Sequence, residues 1–146
     1  MLNIDIKTIK QEEHRYQTLG DYWEDEKGTH IRVTNLKNPD SEFLVVLHEL
    51  VEMYITKRKG IDEPKIMAFD IEFEKERAEG KWDENAEPGD DPRAPYKTEH
   101  CLAEIIERLV ARELGVDWKQ HCEYQQYEPK ALNGMEEEVF RCGRFK

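Results

Sequence analysis

The stretch Leu47-His48-Glu49-Leu50-Val51-Glu52 decides how this chain is interpreted, because it sets ligand-type side chains inside an apolar helical pattern. At about 100° per residue, His48 and Glu52 share one helical face about 40° apart, and Glu49 follows about 60° beyond Glu52. The other side of the predicted helix is apolar and holds Phe43, Val46, Leu47, Leu50, Val51 and Tyr54. Such a face can bind a divalent metal and place a water-activating carboxylate beside it.

Composition limits the classes of protein to which the chain can belong. Its 146 residues are 38% hydrophobic and 38% charged, which predicts one folded domain over residues 1–146. The net charge of −11 argues against nucleic acid as a direct partner, because phosphates attract a basic surface. No apolar run approaches the ~20 residues of a membrane span. Met1 to Asp5 lacks the basic and apolar regions of a secretory signal, so we expect a cytoplasmic protein.

The first 38 residues are predicted to be β-rich. Alternation of apolar and polar residues from Leu2 to Ile9 is typical of a half-buried strand. Two further strands, Tyr16 to Glu24 and Thr29 to Leu36, flank Asp25-Glu26-Lys27-Gly28, which is a plausible hairpin turn. The expected fold class is therefore α+β, with an N-terminal antiparallel β-meander or hairpin followed by three amphipathic helices.

Start and stop signals place those helices between residues 41 and 115. Asp40 or Ser41 can cap the first helix and Gly60 can end it, while the second runs from Asp62 to Gly80 and the third from about residue 98 to 115. Residues 81–96 form an acidic loop rich in Gly, Pro and Asp, and residues 116–146 are expected to be an irregular C-terminal segment.

Each predicted helix carries one i,i+4 pair of ligand-type side chains: His48/Glu52, Asp70/Glu74 and His100/Glu104. Asp70 falls inside the apolar arc of its helix, where a carboxylate is costly unless it is paired, hydrogen-bonded or bound to metal. The alternative is a hydrogen-bonded cap or an ordinary salt bridge, for instance from Asp70 to Arg77 or Arg108. For the first helix, the alternative is a solvated polar face.

The third helix raises a geometric difficulty for a shared site. Its expected core stripe is Leu102, Ile105, Ile106, Leu109 and Val110. If the first and third helices packed through such apolar stripes, His48 and His100 would point away from each other. A common site requires the two helices to meet along an edge.

Histidines combined with carboxylates suit Zn²⁺ best, and also Fe²⁺, Mn²⁺ or Ni²⁺, whereas Ca²⁺ prefers an all-oxygen shell. The candidate metal ligands are His48, Glu52, Asp70 and His100, with Glu74 and Glu104 as additional candidates. Glu49 is the candidate general base for hydrolysis by a metal-bound water. A zinc site formed by Cys101, His121, Cys122 and Cys142 is a further possibility, but its spacing matches no standard pattern.

The order of strand, loop and helix over residues 29–56, with His48-Glu49-Leu50-Val51-Glu52 on the helix, resembles the zincin class of metallohydrolases. In that class an edge strand orients the substrate beside the metal-binding helix. The resemblance implies that His48 is the first metal ligand and Glu49 the base. Glu52 stands where the second histidine of the class belongs, so His100 or Asp70 would complete the ligand set.

Two other functions are consistent with the sequence. Glu49-Leu50-Val51-Glu52 and the acidic helix from Asp70 to Glu74 resemble the all-α nucleotide pyrophosphatases, a likeness that implies Mg²⁺ as cofactor. A non-catalytic interaction module, whose acidic surface binds a basic partner, is the alternative from a different class. The partner or substrate, whether small molecule, peptide or protein, stays open.

Overall fold

The computed structural model describes residues 1–16, 18–83 and 86–123. Three strands, β1 (Ile4–Ile9), β2 (Gly20–Asp25) and β3 (Gly28–Thr34), form one sheet in the order β1-β3-β2. Strands β2 and β3 are antiparallel and are joined by the predicted turn, in which Gly28 has a φ of 119°. This φ lies in a region that favours glycine, so Gly28 permits the tight connection.

The α+β class and the hairpin are confirmed, but the pairing of β1 differs from the antiparallel meander that was expected. Strand β1 pairs with β3 in parallel, from Ile4 opposite Thr29 to Ile9 opposite Thr34, so the sheet is mixed where an antiparallel meander was expected. Because β2 occupies one edge of β3, the remaining edge accepts β1. Strand β3 is therefore central and has no open edge, and β2 is the edge strand that follows it in the sheet.

Three long helices follow: α1 (Pro39–Arg58), α2 (Glu63–Ala78) and α3 (Lys97–Glu113). Helix α1 is capped by Asn38, whose Oδ1 accepts a hydrogen bond from the Ser41 amide at 3.1 Å, so the expected cap at Asp40 or Ser41 is wrong. The predicted closing glycines Gly60, Gly80 and Gly115 all have positive φ. Short 3₁₀ turns at Gln11–Glu13 and Pro88–Asp90 and a helical segment at 118–123 complete the described elements.

The apolar core lies between the sheet, one side of α1 and the start of α2. Its buried members are Tyr22, Ile31, Val33, Leu36, Val45, Met53, Ile66, Ala94 and Tyr96. Alternate residues of β3 point into this core, as the half-buried pattern of the sequence predicts. None of the helices in the described part of the chain has the length and apolar character needed to cross a membrane.

Helices α1 and α3 pack against each other through their polar faces. The buried residues of α3 are Glu99, His100, Ala103, Glu107 and Ala111, and those of α1 include His48 and Glu52. By contrast, Leu102, Ile105 and Leu109 of α3 are 41%, 56% and 60% exposed. The predicted core stripe of α3 is therefore wrong, and so is the solvated polar face that was the alternative for α1.

Charge pairs connect the two helices in antiparallel order. Near one end, Lys59 Nζ lies 2.6 Å from Glu99 Oε1, and further along His48 Nδ1 lies 2.7 Å from Glu107 Oε2. Among the buried residues of α3, Ala103 and Ala111 are small, which lets a neighbouring helix approach closely. The geometric difficulty is thus resolved, because the polar stripes face each other directly.

We expect Ala103→Leu to lower the free energy of unfolding by about 1–3 kcal/mol, because the added side chain overfills a closely packed position. Leu109→Ala should change it by about 0.5 kcal/mol or less, since that leucine is 60% exposed. Urea denaturation of both variants measures the difference. The reverse ranking would show that α3 buries its apolar stripe after all.

Candidate metal centre

Three donor atoms meet in the buried layer between α1 and α3. Nε2 of His48 lies 3.2 Å from Oε2 of Glu52 and 3.2 Å from Nδ1 of His100, and the last two atoms are 3.0 Å apart. The three side chains are each at least nine-tenths buried. The structure therefore brings together three of the four main predicted ligands, which come from two helices.

The other imidazole nitrogen of His48 is held from α3. Nδ1 of His48 lies 2.7 Å from Oε2 of Glu107, and Oε1 of the same carboxylate lies 2.7 Å from Nε2 of His121. Both Glu107 and His121 are fully buried. A carboxylate in this position fixes the ring orientation and directs Nε2 of His48 toward the other two donors.

Two carboxylates face the other ring nitrogen of His100, Nε2. Its Nε2 has no hydrogen-bond partner among the described residues, and it lies 3.5 Å from Glu87 Oε2 and 3.6 Å from Asp90 Oδ1. The turn that carries both carboxylates is pressed against the ring. A Cβ at Gly89 would lie 2.3 Å from the His100 imidazole, so only glycine allows this approach.

The opposite charges of the cluster stabilise the ionised forms of its histidines and of Glu52. Burial alone lowers the pKa of His48, but its hydrogen bonds to Glu107 and Glu52 outweigh burial and raise the pKa to about 9. Burial acts in the same way on His100, and Glu52 together with Glu87 raises its pKa to about 10. For Glu52, burial raises the pKa, yet the two histidines lower it to about 2. The metal-free site is therefore a carboxylate held between protonated imidazoles.

The pKa of Glu49 is raised, whereas that of Glu52 is lowered. Burial, reinforced by the negative charge of Glu52, raises the Glu49 pKa to about 8. Its side chain points toward the start of the edge strand β2, where a Cβ at Gly20 would lie 2.4 Å from Glu49 Oε1. Gly20 therefore leaves the space that the Glu49 carboxyl group occupies. A partly buried carboxyl group with a pKa this close to neutral pH can accept a proton and return it.

The remaining predicted ligands lie outside the triangle. Asp70 Oδ1 accepts a hydrogen bond from the Tyr96 hydroxyl at 2.6 Å, and burial raises the Asp70 pKa to about 7. A hydrogen bond therefore satisfies Asp70, as one form of the alternative expected, whereas the expected salt bridge to Arg77 or Arg108 is not found among the described residues. Glu74 pairs with Arg77, and Glu104 pairs with Arg108 at 2.8 Å. Neither Asp70, Glu74 nor Glu104 belongs to a group of converging donor atoms within the described residues.

Sequence reasoning missed Glu87, Asp90 and Glu107, and it considered His121 only as part of a cysteine zinc site. The signal for Glu107 was present, because it follows His100 by seven residues and thus shares its helical face. Glu87 and Asp90 lie outside the long helices, where periodicity gives no information. His121 contacts Glu107, and no cysteine belongs to a converging group in the described ranges; Cys142 lies outside them.

No protein-family model, curated protein or solved structure matches this chain. The chemistry of the site is therefore the basis for assigning a function. Its parts are two imidazoles and one carboxylate that converge, with a partly buried carboxyl group of raised pKa beside them.

In metal-free protein, we expect the free energy of unfolding to fall as the pH rises from 6.5 to 9. Folded His48 keeps its proton up to a pKa of about 9 and folded His100 up to about 10, whereas an unfolded histidine loses its proton near 6.5. Glu49 adds to the trend, because its folded pKa is about 8 and its ordinary value is 4.5. The folded state thus binds more protons than the unfolded state throughout this range, and raising the pH favours unfolding.

Urea denaturation in EDTA at several pH values measures this dependence. The double variant His48→Gln/His100→Gln should lose most of the slope, since its folded state no longer retains the two imidazole protons. A flat or rising profile in the unsubstituted protein would contradict the charge states assigned to the cluster.

Proposed function

We propose that the protein is a metal-dependent hydrolase that binds one divalent transition metal ion, preferably Zn²⁺, through His48, Glu52 and His100, with Glu49 as general base. The observation that carries the proposal is the triangle of donor atoms, with sides of 3.0 to 3.2 Å. Fe²⁺, Mn²⁺ and Ni²⁺ accept the same donor types.

The size of the triangle supports an ion as its occupant. Donor atoms about 2.1 Å from a tetrahedral zinc ion are about 3.4 Å apart, so only a small outward movement would be needed. Three protein donors also leave one tetrahedral position for water or substrate, which is the arrangement of catalytic zinc sites. A structural zinc site would normally use four protein donors.

The identity of the donors supports hydrolysis. Two histidines and one glutamate form a donor set used by zinc hydrolases. In this chain Glu52 takes the helix position of the second histidine in the zincin-like pattern, and His100 supplies the second imidazole from α3. The exchange changes the order of the ligands along the chain and preserves their chemistry.

Each of the chain's own residues has a distinct task in this scheme. When bound, the ion supplies Lewis-acid activation of water and of the carbonyl or phosphoryl group under attack. Glu49 accepts a proton from the attacking water and returns it to the leaving group. Glu107 holds the His48 ring in its orientation, and the packing of α1 against α3 keeps bulk water away from the donors.

The interaction-module alternative receives less support, because several carboxylates in the acidic loop and at the end of α2 are paired within the chain. Glu76 and Asp91 both contact Arg93 at 2.7 Å, and Glu79 contacts Lys81 at 2.6 Å. The pyrophosphatase alternative needs carboxylates of α1 and α2 to converge. Asp70 is engaged by Tyr96 and Glu74 by Arg77, so the geometry favours the hydrolase.

Elemental analysis of purified protein, beside Glu49→Gln and His48→Ala/His100→Ala variants, tests the proposal. We expect near-stoichiometric metal in the unsubstituted protein and in Glu49→Gln, and its loss in the double variant. On labelled casein and a p-nitrophenyl ester, Glu49→Gln should lower turnover by about 10²–10⁴-fold, because only the base is removed. Absence of metal from the unsubstituted protein after equilibration with Zn²⁺ would overturn the proposal.

The affinity for Zn²⁺ should rise at least about a hundredfold per pH unit between pH 6 and 8, because the ion displaces one proton from each of two imidazoles and favours loss of the Glu49 proton as well. The raised pKa values of His48 and His100, about 9 and 10, keep both protons in place across this range. Competition with a chromophoric chelator measures the slope. Glu49→Gln should keep a slope of about a hundredfold, because both imidazole protons are still displaced, and an affinity independent of pH would show that the imidazoles are not ligands.

A further inference from the structure

We infer that Glu87, Asp90 and the outer nitrogen of His100 form a second cation site, which shares the His100 imidazole with the first. The inference rests on the proposed function, because His100 would present Nδ1 to one ion and Nε2 to the other. Donor atoms of these three side chains all lie within 4.8 Å of one another, as they do in the triangle of His48, Glu52 and His100.

The distances distinguish a cation site from a simple hydrogen bond. Where a carboxylate orients a histidine in this protein, the contact is short, as between His48 Nδ1 and Glu107 Oε2 at 2.7 Å. At His100 Nε2 the two carboxylate oxygens are at 3.5 and 3.6 Å. These separations are too long for good hydrogen bonds but close to the spacing of about 3.4 Å between donors around a tetrahedral ion.

The nitrogen concerned is buried, and only the long ion-pair contacts to Glu87 and Asp90, at 3.5 and 3.6 Å, face it. The His100 side chain is 7% exposed, and its Nε2 makes no hydrogen bond within the described residues. Contacts of this length satisfy a buried polar atom incompletely, and an ion bound by the nitrogen and both carboxylates would satisfy all three donors. Its nearest acidic neighbours are Glu87 and Asp90, so a cation fits the chemistry of the position.

The turn that brings the carboxylates is held in place by its own contacts. Lys97 Nζ donates to the Asp90 carbonyl at 2.7 Å, and Gly89 is buried against the imidazole ring. The Glu87 and Asp90 side chains are 24% and 36% exposed, so an ion can reach them from solvent. The second site thus lies between the buried triangle and the surface.

The proton balance selects the type of cation. With Nδ1 bound to the first ion, Nε2 becomes a ligand only when its proton leaves to solvent, and the resulting negative imidazolate is stabilised by two positive ions. Zn²⁺ and Cu²⁺ bind imidazole nitrogen strongly enough to displace that proton, whereas Mg²⁺ and Ca²⁺ prefer oxygen. We therefore assign the second site to Zn²⁺ or Cu²⁺.

Native mass spectrometry of the full chain, stripped with EDTA and titrated with Zn²⁺ at pH 7.5, counts the ions bound. The test variant is Glu87→Gln/Asp90→Asn, which removes both carboxylates. The matched control is Glu72→Gln/Glu79→Gln, which removes the same two charges from side chains that are 64% and 60% exposed. A third variant, His48→Ala/Glu52→Gln, removes the first site.

We expect two ions in the unsubstituted protein and in the control, and one ion in each of the other two variants. One ion in the unsubstituted protein that persists in Glu87→Gln/Asp90→Asn would overturn the second site and leave the proposed function intact. Two ions in Glu87→Gln/Asp90→Asn would also overturn it, because the second ion would then bind elsewhere. If the unsubstituted protein bound one ion, and this ion were lost in Glu87→Gln/Asp90→Asn but kept in His48→Ala/Glu52→Gln, the proposed function would be overturned. The result would support a site formed by the two carboxylates alone.

Discussion

The structure depends on a stripe of mutually compensating charges buried between α1 and α3. His48, Glu52, His100 and Glu107 lie on facing helices, and each has a partner of opposite charge at 2.7 to 3.2 Å. Burial of any one of them alone would be costly, because an isolated charge loses its hydration without compensation. The helices are therefore held at the distance and rotation at which all four are paired.

Much of the fold was predictable from local signals. The hairpin at Asp25–Gly28 and the three helices closed by Gly60, Gly80 and Gly115 follow from turn chemistry and periodicity, which act over a few residues. The parallel pairing of β1 with β3 was not predictable in this way. It depends on which edge of β3 is left open once the hairpin has formed.

The orientation of α3 shows why hydrophobic pattern alone is insufficient. Its apolar residues Leu102, Ile105 and Leu109 form a regular stripe, yet the opposite face is buried. A sequence pattern assigns a free-energy cost to each buried charge separately, because it contains no information on the partner from another helix that offsets this cost. His48, Glu52 and His100 were identified as ligands because of residue type and spacing, whereas Glu87 and Asp90 come from a turn that no periodic pattern describes.

The antiparallel order of the charge pairs also has a consequence for helix register. An apolar interface tolerates sliding, because one aliphatic contact can replace another at little cost. A slide of one turn, about 5.4 Å, would move His48 away from Glu107 and deprive that buried carboxylate of its imidazole partner on α1. The paired charges thus penalise every alignment of α1 and α3 except one, and they define a single mutual position for the two helices.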